Sequence, residues 1–116
     1  MIHHVTLECR RAHRDALHRF FGALGFAPLD VPASLAARAD WLEAGGTQVH
    51  LLWQDDPVVP RAGHCAVRVA DHDAAVAALR QAGFAVEART QHWNAPRSYA
   101  TTPGGHTVEV FDTPPG

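Results

Sequence analysis

Two stretches of this 116-residue chain carry the same landmarks in the same order, and this repeat constrains the fold more than any other feature. His3-His4-Val5-Thr6-Leu7 leads into a helical stretch and then Leu24-Gly25-Phe26-Ala27. Gly63-His64-Cys65-Ala66-Val67 leads into another and then Ala82-Gly83-Phe84-Ala85. Gly46-Thr47-Gln48-Val49-His50-Leu51 closes the first half as Gly105-His106-Thr107-Val108-Glu109-Val110 closes the second. The offsets are 60 from His4 to His64, 58 from Gly25 to Gly83 and 59 from His50 to Glu109. One length of chain is therefore used twice within a single domain spanning 1–116, since a compact domain takes roughly 100–150 residues. The first module is about 1–55, the second about 63–116. Between them lies a linker of about 54–62, marked by Asp55-Asp56-Pro57 and Pro60.

Each half reads as βαβββ, an α+β arrangement of two modules in tandem. Residues 2–9 alternate and are rich in β-formers, which predicts a strand. Over 12–24, Leu17, Phe20, Phe21 and Leu24 recur at spacings of three and four, the stripe of an amphipathic helix. Gly25 is placed to end it. Strands follow near 26–29, 38–43 and 46–53. The second half repeats the order: a strand over 63–69, Asp71 as N-cap, a helix over 73–82 ended by Gly83, and strands near 84–88, 96–101 and 106–112.

Composition narrows the function classes. Net charge is −2, and the ten basic residues are arginines scattered along the chain, so no basic stripe marks a nucleic-acid binder. No apolar run approaches the ~20 residues of a membrane span. The amino-terminal residues have neither the basic nor the apolar region of a signal peptide, so a cytoplasmic protein is expected. Cys9 and Cys65 form no metal or redox motif. Nine histidines are the compositional outlier, and imidazole suits metal ligation and proton transfer near neutral pH.

Strand alternation says which histidines matter. A helix covers one face of a short sheet, and the other faces are expected to enclose a cleft. Val5, Leu7 and Cys9 take the helix side of the first strand, leaving His4, Thr6 and Glu8 on the other. The same rule puts His50 opposite Val49 and Leu51. It sets His64, Ala66 and Arg68 opposite Cys65 and Val67, and Glu109 opposite Val108 and Val110. Three imidazoles and one carboxylate suit a divalent Zn, Ni, Co, Mn or Fe ion, with no thiolate to favour a closed structural zinc site. Glu109, set between valines, would be costly if buried unpaired, and a metal or Arg68 would remove that cost. Arg68 and Glu8 share the ligand faces, and Arg97 and Tyr99 precede the last hairpin. Arginine holds carboxylate or phosphonate groups in a bidentate fork, so these four are candidate substrate contacts. Trp41 and Trp93 are candidate apolar wall or packing residues. His3, His13, His18 and His72 fall on the opposite strand face or on helix surfaces, and His92 and His106 in loops; none is assigned a role.

These motifs resemble the vicinal oxygen chelate superfamily, the group of glyoxalases, fosfomycin- and bleomycin-resistance proteins and extradiol dioxygenases. The resemblance covers nearly the whole chain and is carried by Ile2-His3-His4-Val5-Thr6-Leu7, Leu24-Gly25-Phe26, Gln48-Val49-His50-Leu51, Gly63-His64-Cys65-Ala66-Val67 and Thr102-Pro103-Gly104-Gly105-His106-Thr107-Val108-Glu109-Val110. It implies the glyoxalase/bleomycin resistance/dihydroxybiphenyl dioxygenase-like fold. It also implies a divalent metal at His4, His50, His64 and Glu109, a small-molecule substrate or drug, and a homodimer. Glyoxalase I-like members carry a glutamate where His50 stands, so Glu109 alone is left to move a proton. The implied activity is that of a glyoxalase-like lyase or isomerase whose metal chelates neighbouring substrate oxygens. The alternatives are a metal-free drug-sequestering protein and a small extradiol-type dioxygenase using His4, His64 and Glu109.

Overall fold

The computed structural model describes all residues from Met1 to Gly116 as two compact units, Met1–Val59 and Pro60–Gly116. The expected α+β class and the βαβββ order of each half are both present.

The first unit begins with strand β1 (His4–Cys9), a 3-10 turn (Arg11–His13) and helix α1 (Arg14–Ala23). It continues with β2 (Ala27–Leu29), β3 (Ala39–Ala44) and β4 (Thr47–Trp53). The sheet order is β1-β4-β3-β2, with β1 and β4 parallel and the other pairs antiparallel. The parallel pairing explains why the helix lies where it does: β4 returns beside β1 in the same direction, which a tight turn cannot achieve. Leu17, Phe20 and Phe21 of α1 are fully buried, as are Leu42, Val49 and Leu51 of the strands, with Cys9 almost so. Burial raises the Cys9 thiol to a pKa of about 11, with the Glu8 carboxylate adding to the effect. His4, His50 and Trp41 lie on the sheet face opposite the one that carries Val49 and Leu51.

The second unit repeats this plan with β5 (Cys65–Arg68), α2 (His72–Gln81), β6 (Val86–Ala88), β7 (Arg97–Thr101) and β8 (Thr107–Phe111). Its order β5-β8-β7-β6 matches the first sheet strand for strand. Gly25 and Gly83 follow the two helices at φ +93° and +92°, a left-handed conformation that an L side chain adopts only with strain. Asp71 caps α2 as expected, its side chain accepting from the Ala74 amide at 3.0 Å.

His72 does not lie on a helix surface. Helix α2 starts one residue earlier than the periodicity suggests, at His72, and this joins His72 to Ala75, Val76 and Leu79 in one inward stripe. Its ring sits between Ser98 Oγ and Asp73 Oδ1, 2.8 Å from each. Its backbone N–H donates to Asp112 Oδ2 at 2.8 Å, and that bond, helped by the Thr113 hydroxyl, holds the Asp112 carboxyl below its usual range. His18 also has a structural partner: with Arg14 it binds Asp40 Oδ2, tying α1 to β3. His106 is buried, and its amide donates to Thr102 Oγ1 at 3.1 Å.

Candidate functional site

In the first unit the strand pairing brings three flat rings into a column. Trp41 on β3 pairs directly with His50 on β4, and His50 pairs with Thr6, two residues along β1 from His4. Side chains two apart on a strand share a face, so all three rise from the same side of the sheet. Trp41 and His50 stack with centroids 4.3 Å apart and planes 8° from parallel; His50 and His4 stack at 3.9 Å and 15°. The amide oxygen of Gln48 accepts from His50 Nε2 at 2.8 Å, which places the proton of the neutral ring on that nitrogen. Partial burial, followed by the nearby His4 and His3 rings, lowers the His50 pKa and favours this neutral form. Glu8 shares this face, and its Oε1 accepts from the Val58 amide at 3.2 Å.

His3 lies just outside β1, so alternation does not govern its side chain. Instead of facing away from His4, its ring meets His4 edge-on at 5.2 Å and 88°, with the two Nδ1 atoms 2.9 Å apart.

In the second unit Glu109 sits at the centre of the sheet, directly paired with Ala66 on one side and Tyr99 on the other. The cation that accompanies it is Arg97, not Arg68. Arg97 Nη2 donates to Glu109 Oε1 at 3.1 Å and to the Tyr99 hydroxyl at 3.1 Å, and Nη1 donates to the Thr90 carbonyl at 2.9 Å. Arg97 and Glu109 are each only 8% exposed. The hydrogen bond to Glu109 outweighs desolvation and raises the guanidinium pKa further. The Arg68 Nε donates instead to the Asp112 carbonyl at 3.2 Å. Tyr99 is also approached by Arg89, whose guanidinium carbon lies 4.7 Å from the ring centre, and by the His64 ring at 5.0 Å. Beside it a cavity of about 210 Å³ is lined by Ala85, Val86, Glu87, Tyr99, Thr101 and Thr107. Trp93 lies apart from this group, its Nε1 donating to the Thr113 carbonyl at 2.6 Å.

His64 precedes β5 and reaches Glu109 from the side. Its Nδ1 is 3.0 Å from the Ala62 carbonyl oxygen, which can only accept, so Nδ1 carries the proton. In the neutral ring the bare Nε2 then faces Glu109 Oε1 at 3.3 Å. Two lone-pair donors at that spacing repel unless a proton or a cation lies between them. Ligands at roughly 2.0–2.1 Å from one ion, about 105–110° apart, have this separation. A ring nitrogen bonded to a backbone carbonyl is also the usual outer contact of a metal-ligating histidine. His64 and Glu109 therefore fit a metal, and the imidazoles of His4 and His50 are of a chemistry suited to the same ions. Within neither unit do three His, Cys, Asp or Glu side chains gather.

Comparisons with known proteins agree with this architecture. A family model described as the Glyoxalase/Bleomycin resistance protein/Dioxygenase superfamily matches residues 2–110. Among solved structures, a glyoxalase family protein from Bacillus anthracis is 21% identical, with 98% of this chain and 95% of that one covered and a TM-score of 0.87. The oxidase ChaP-H2 is 18% identical, with 100% and 95% covered and a TM-score of 0.77. TnmS3, an antibiotic binding protein from Streptomyces sp. CB03234, is 18% identical, with 98% and 96% covered and a TM-score of 0.72. A search of curated proteins finds no match.

Proposed function

Because this chain belongs to the Glyoxalase/Bleomycin resistance protein/Dioxygenase superfamily, we propose that it is a metal-dependent enzyme acting on a small molecule with neighbouring oxygens, as a glyoxalase-like lyase or isomerase. The donors are His4, His50, His64 and Glu109. The observation that carries this reading is the approach of His64 Nε2 to Glu109 Oε1 at 3.3 Å, with Nδ1 of the same ring turned to the Ala62 carbonyl. When bound, a divalent metal supplies Lewis-acid polarisation of substrate oxygen. Glu109 is the one donor able to take a proton from carbon and return it. Arg97, donating to Glu109 Oε1 at 3.1 Å, fixes the carboxylate in place and balances its charge. Tyr99, with Glu8, Arg68 and Arg97, completes the set of substrate contacts, and the cavity beside Tyr99 accommodates part of a small ligand. The proposal includes a cytoplasmic homodimer.

A second reading, a metal-free protein that sequesters a drug, has its own support. The Trp41-His50-His4 column is a ready aromatic wall, and Arg97 already balances the Glu109 charge.

Metal titration separates the two. The protein purified without chelator should bind Zn, Ni, Co, Mn or Fe(II) and melt at higher temperature with metal present. At a hundredfold excess over Kd the stabilisation is ~2.7 kcal/mol. His64→Ala and Glu109→Gln should abolish the shift. If none of the five metals produces a shift in the unaltered protein, the sequestering reading stands.

A further inference from the structure

His3 belongs to no donor pair, yet its ring is engaged with His4. Two neutral imidazoles whose Nδ1 atoms are 2.9 Å apart form a hydrogen bond in which one nitrogen carries the proton and the other accepts. The direction decides what His4 can do. If His3 donates, the proton of His4 is forced onto Nε2 and that nitrogen can no longer bind a cation. If His4 donates, its Nε2 keeps a bare lone pair.

The internal repeat favours the second direction. His64 stands at the position matching His4, and its Nδ1–H is given to the carbonyl of Ala62, an obligate acceptor. In both units the histidine at the head of the first strand thus has its Nδ1 occupied by a residue just before it. The stack on His50, at 3.9 Å and 15°, fixes the plane of the His4 ring, leaving the tautomer as the remaining variable. We infer that His3 is a positioning residue: its Nδ1 accepts the Nδ1–H of His4 and so presents His4 Nε2 as a lone-pair donor. This rests on the reading of His4 as a metal donor and extends it to a residue outside the donor set. His3 here fills the place that a carbonyl or carboxylate usually takes behind a metal-ligating histidine.

The test uses the whole chain, labelled with ¹⁵N and free of metal, at about pH 8, where histidine is neutral. Long-range ¹H–¹⁵N correlation of the imidazoles should show His4 in the Nδ1–H form. His3→Ala should move His4 toward the Nε2–H form, and His3→Asp, which restores an acceptor, should move it back. Zinc titration should then show a 10- to 100-fold loss of affinity for His3→Ala and recovery for His3→Asp. Nε2–H in the unaltered protein, or a His4 tautomer indifferent to His3→Ala, would overturn the inference. A protein that takes up no zinc in any form would instead overturn the metal reading, while the spectra still decide the role of His3. His3 is exposed, so its replacement leaves the fold intact as a background for both measurements.

Discussion

Ser98→Ala is expected to cost clearly more stability than Asp73→Ala, although both side chains bind the same His72 ring. Ser98 is 1% exposed and its hydroxyl lies 2.8 Å from His72 Nε2, itself in a residue only 7% exposed. Removing the oxygen leaves a buried ring nitrogen without a partner, and an unsatisfied buried polar group costs roughly 1–3 kcal/mol. Asp73 offers an internal control. It contacts the other ring nitrogen at the same 2.8 Å, but its side chain is 94% exposed. Water replaces it on deletion, so Asp73→Ala should cost about 0.5 kcal/mol or less. With an unfolding entropy of ~2.1 cal/mol/K per residue, each 1 kcal/mol lowers the melting temperature of a chain this long by about 4 °C. Ser98→Ala should therefore melt about 4–12 °C lower and Asp73→Ala within about 2 °C of the parent. Calorimetry and urea titration measure both. Ser98 points toward α2, away from the face that carries Tyr99, so metal binding should be unchanged. Equal losses from the two variants would show that burial of the His72 ring does not govern its hydrogen bonds, and the reasoning would fail.

Other expectations follow from the same geometry. Gly83→Ala places a side chain at φ +92° and should destabilise by about 1–2 kcal/mol in urea titration, with Gly25→Ala, at φ +93°, costing a similar amount. His50 has a pKa held below 6.5 in the folded state by burial and by His4 and His3, so the unfolded chain binds that proton more readily. Stability should decline as pH falls below about 6.5, and His50→Gln should flatten the decline in urea midpoints measured between about pH 7.5 and 5. Cys9, with its pKa pushed up to about 11, should resist alkylation by iodoacetamide near pH 8 until the protein is unfolded, and rapid labelling of the native chain would contradict its burial.

The fold was legible because the repeat and the two periodicities are independent signals that agree. A 3.6-residue stripe at Leu17, Phe20 and Phe21 and a two-residue alternation at Val49, His50 and Leu51 each describe one face, and the second half repeats both patterns. Element ends are where periodicity has least to work on. Residue 72 is the first of α2, so no earlier helical turn marks its face, and only its i+3 and i+4 partners Ala75 and Val76 show it turned inward. His3 stands just before β1, and residues outside a strand do not follow its alternation. The partner of Glu109 was ambiguous for a different reason. Arg68 lies two residues beyond Ala66 and Arg97 two residues before Tyr99, and both Ala66 and Tyr99 pair with Glu109. Register places either arginine diagonally beside the carboxylate, so only the side-chain path selects Arg97.

Comparing matched positions of the two sheets explains why His50 and Glu109 differ. Trp41 faces His50 as Tyr99 faces Glu109. Two residues before these aromatic positions stand Ala39 and Arg97, and both are buried. Where the sheet provides a buried guanidinium, the closing strand carries a carboxylate; where it provides a methyl group, the closing strand carries an imidazole. A carboxylate at position 50 would have Trp41 on one side and the His4 ring on the other, with no arginine at the matching place. Leaving such a charge half-buried and unpaired is costly, whereas a neutral imidazole stacks on both neighbours. The imidazole at position 50 and the carboxylate at position 109 are thus each tied to the packing beside them. The same packing gives the second unit a carboxylate held by Arg97 and the first unit a stack of flat rings.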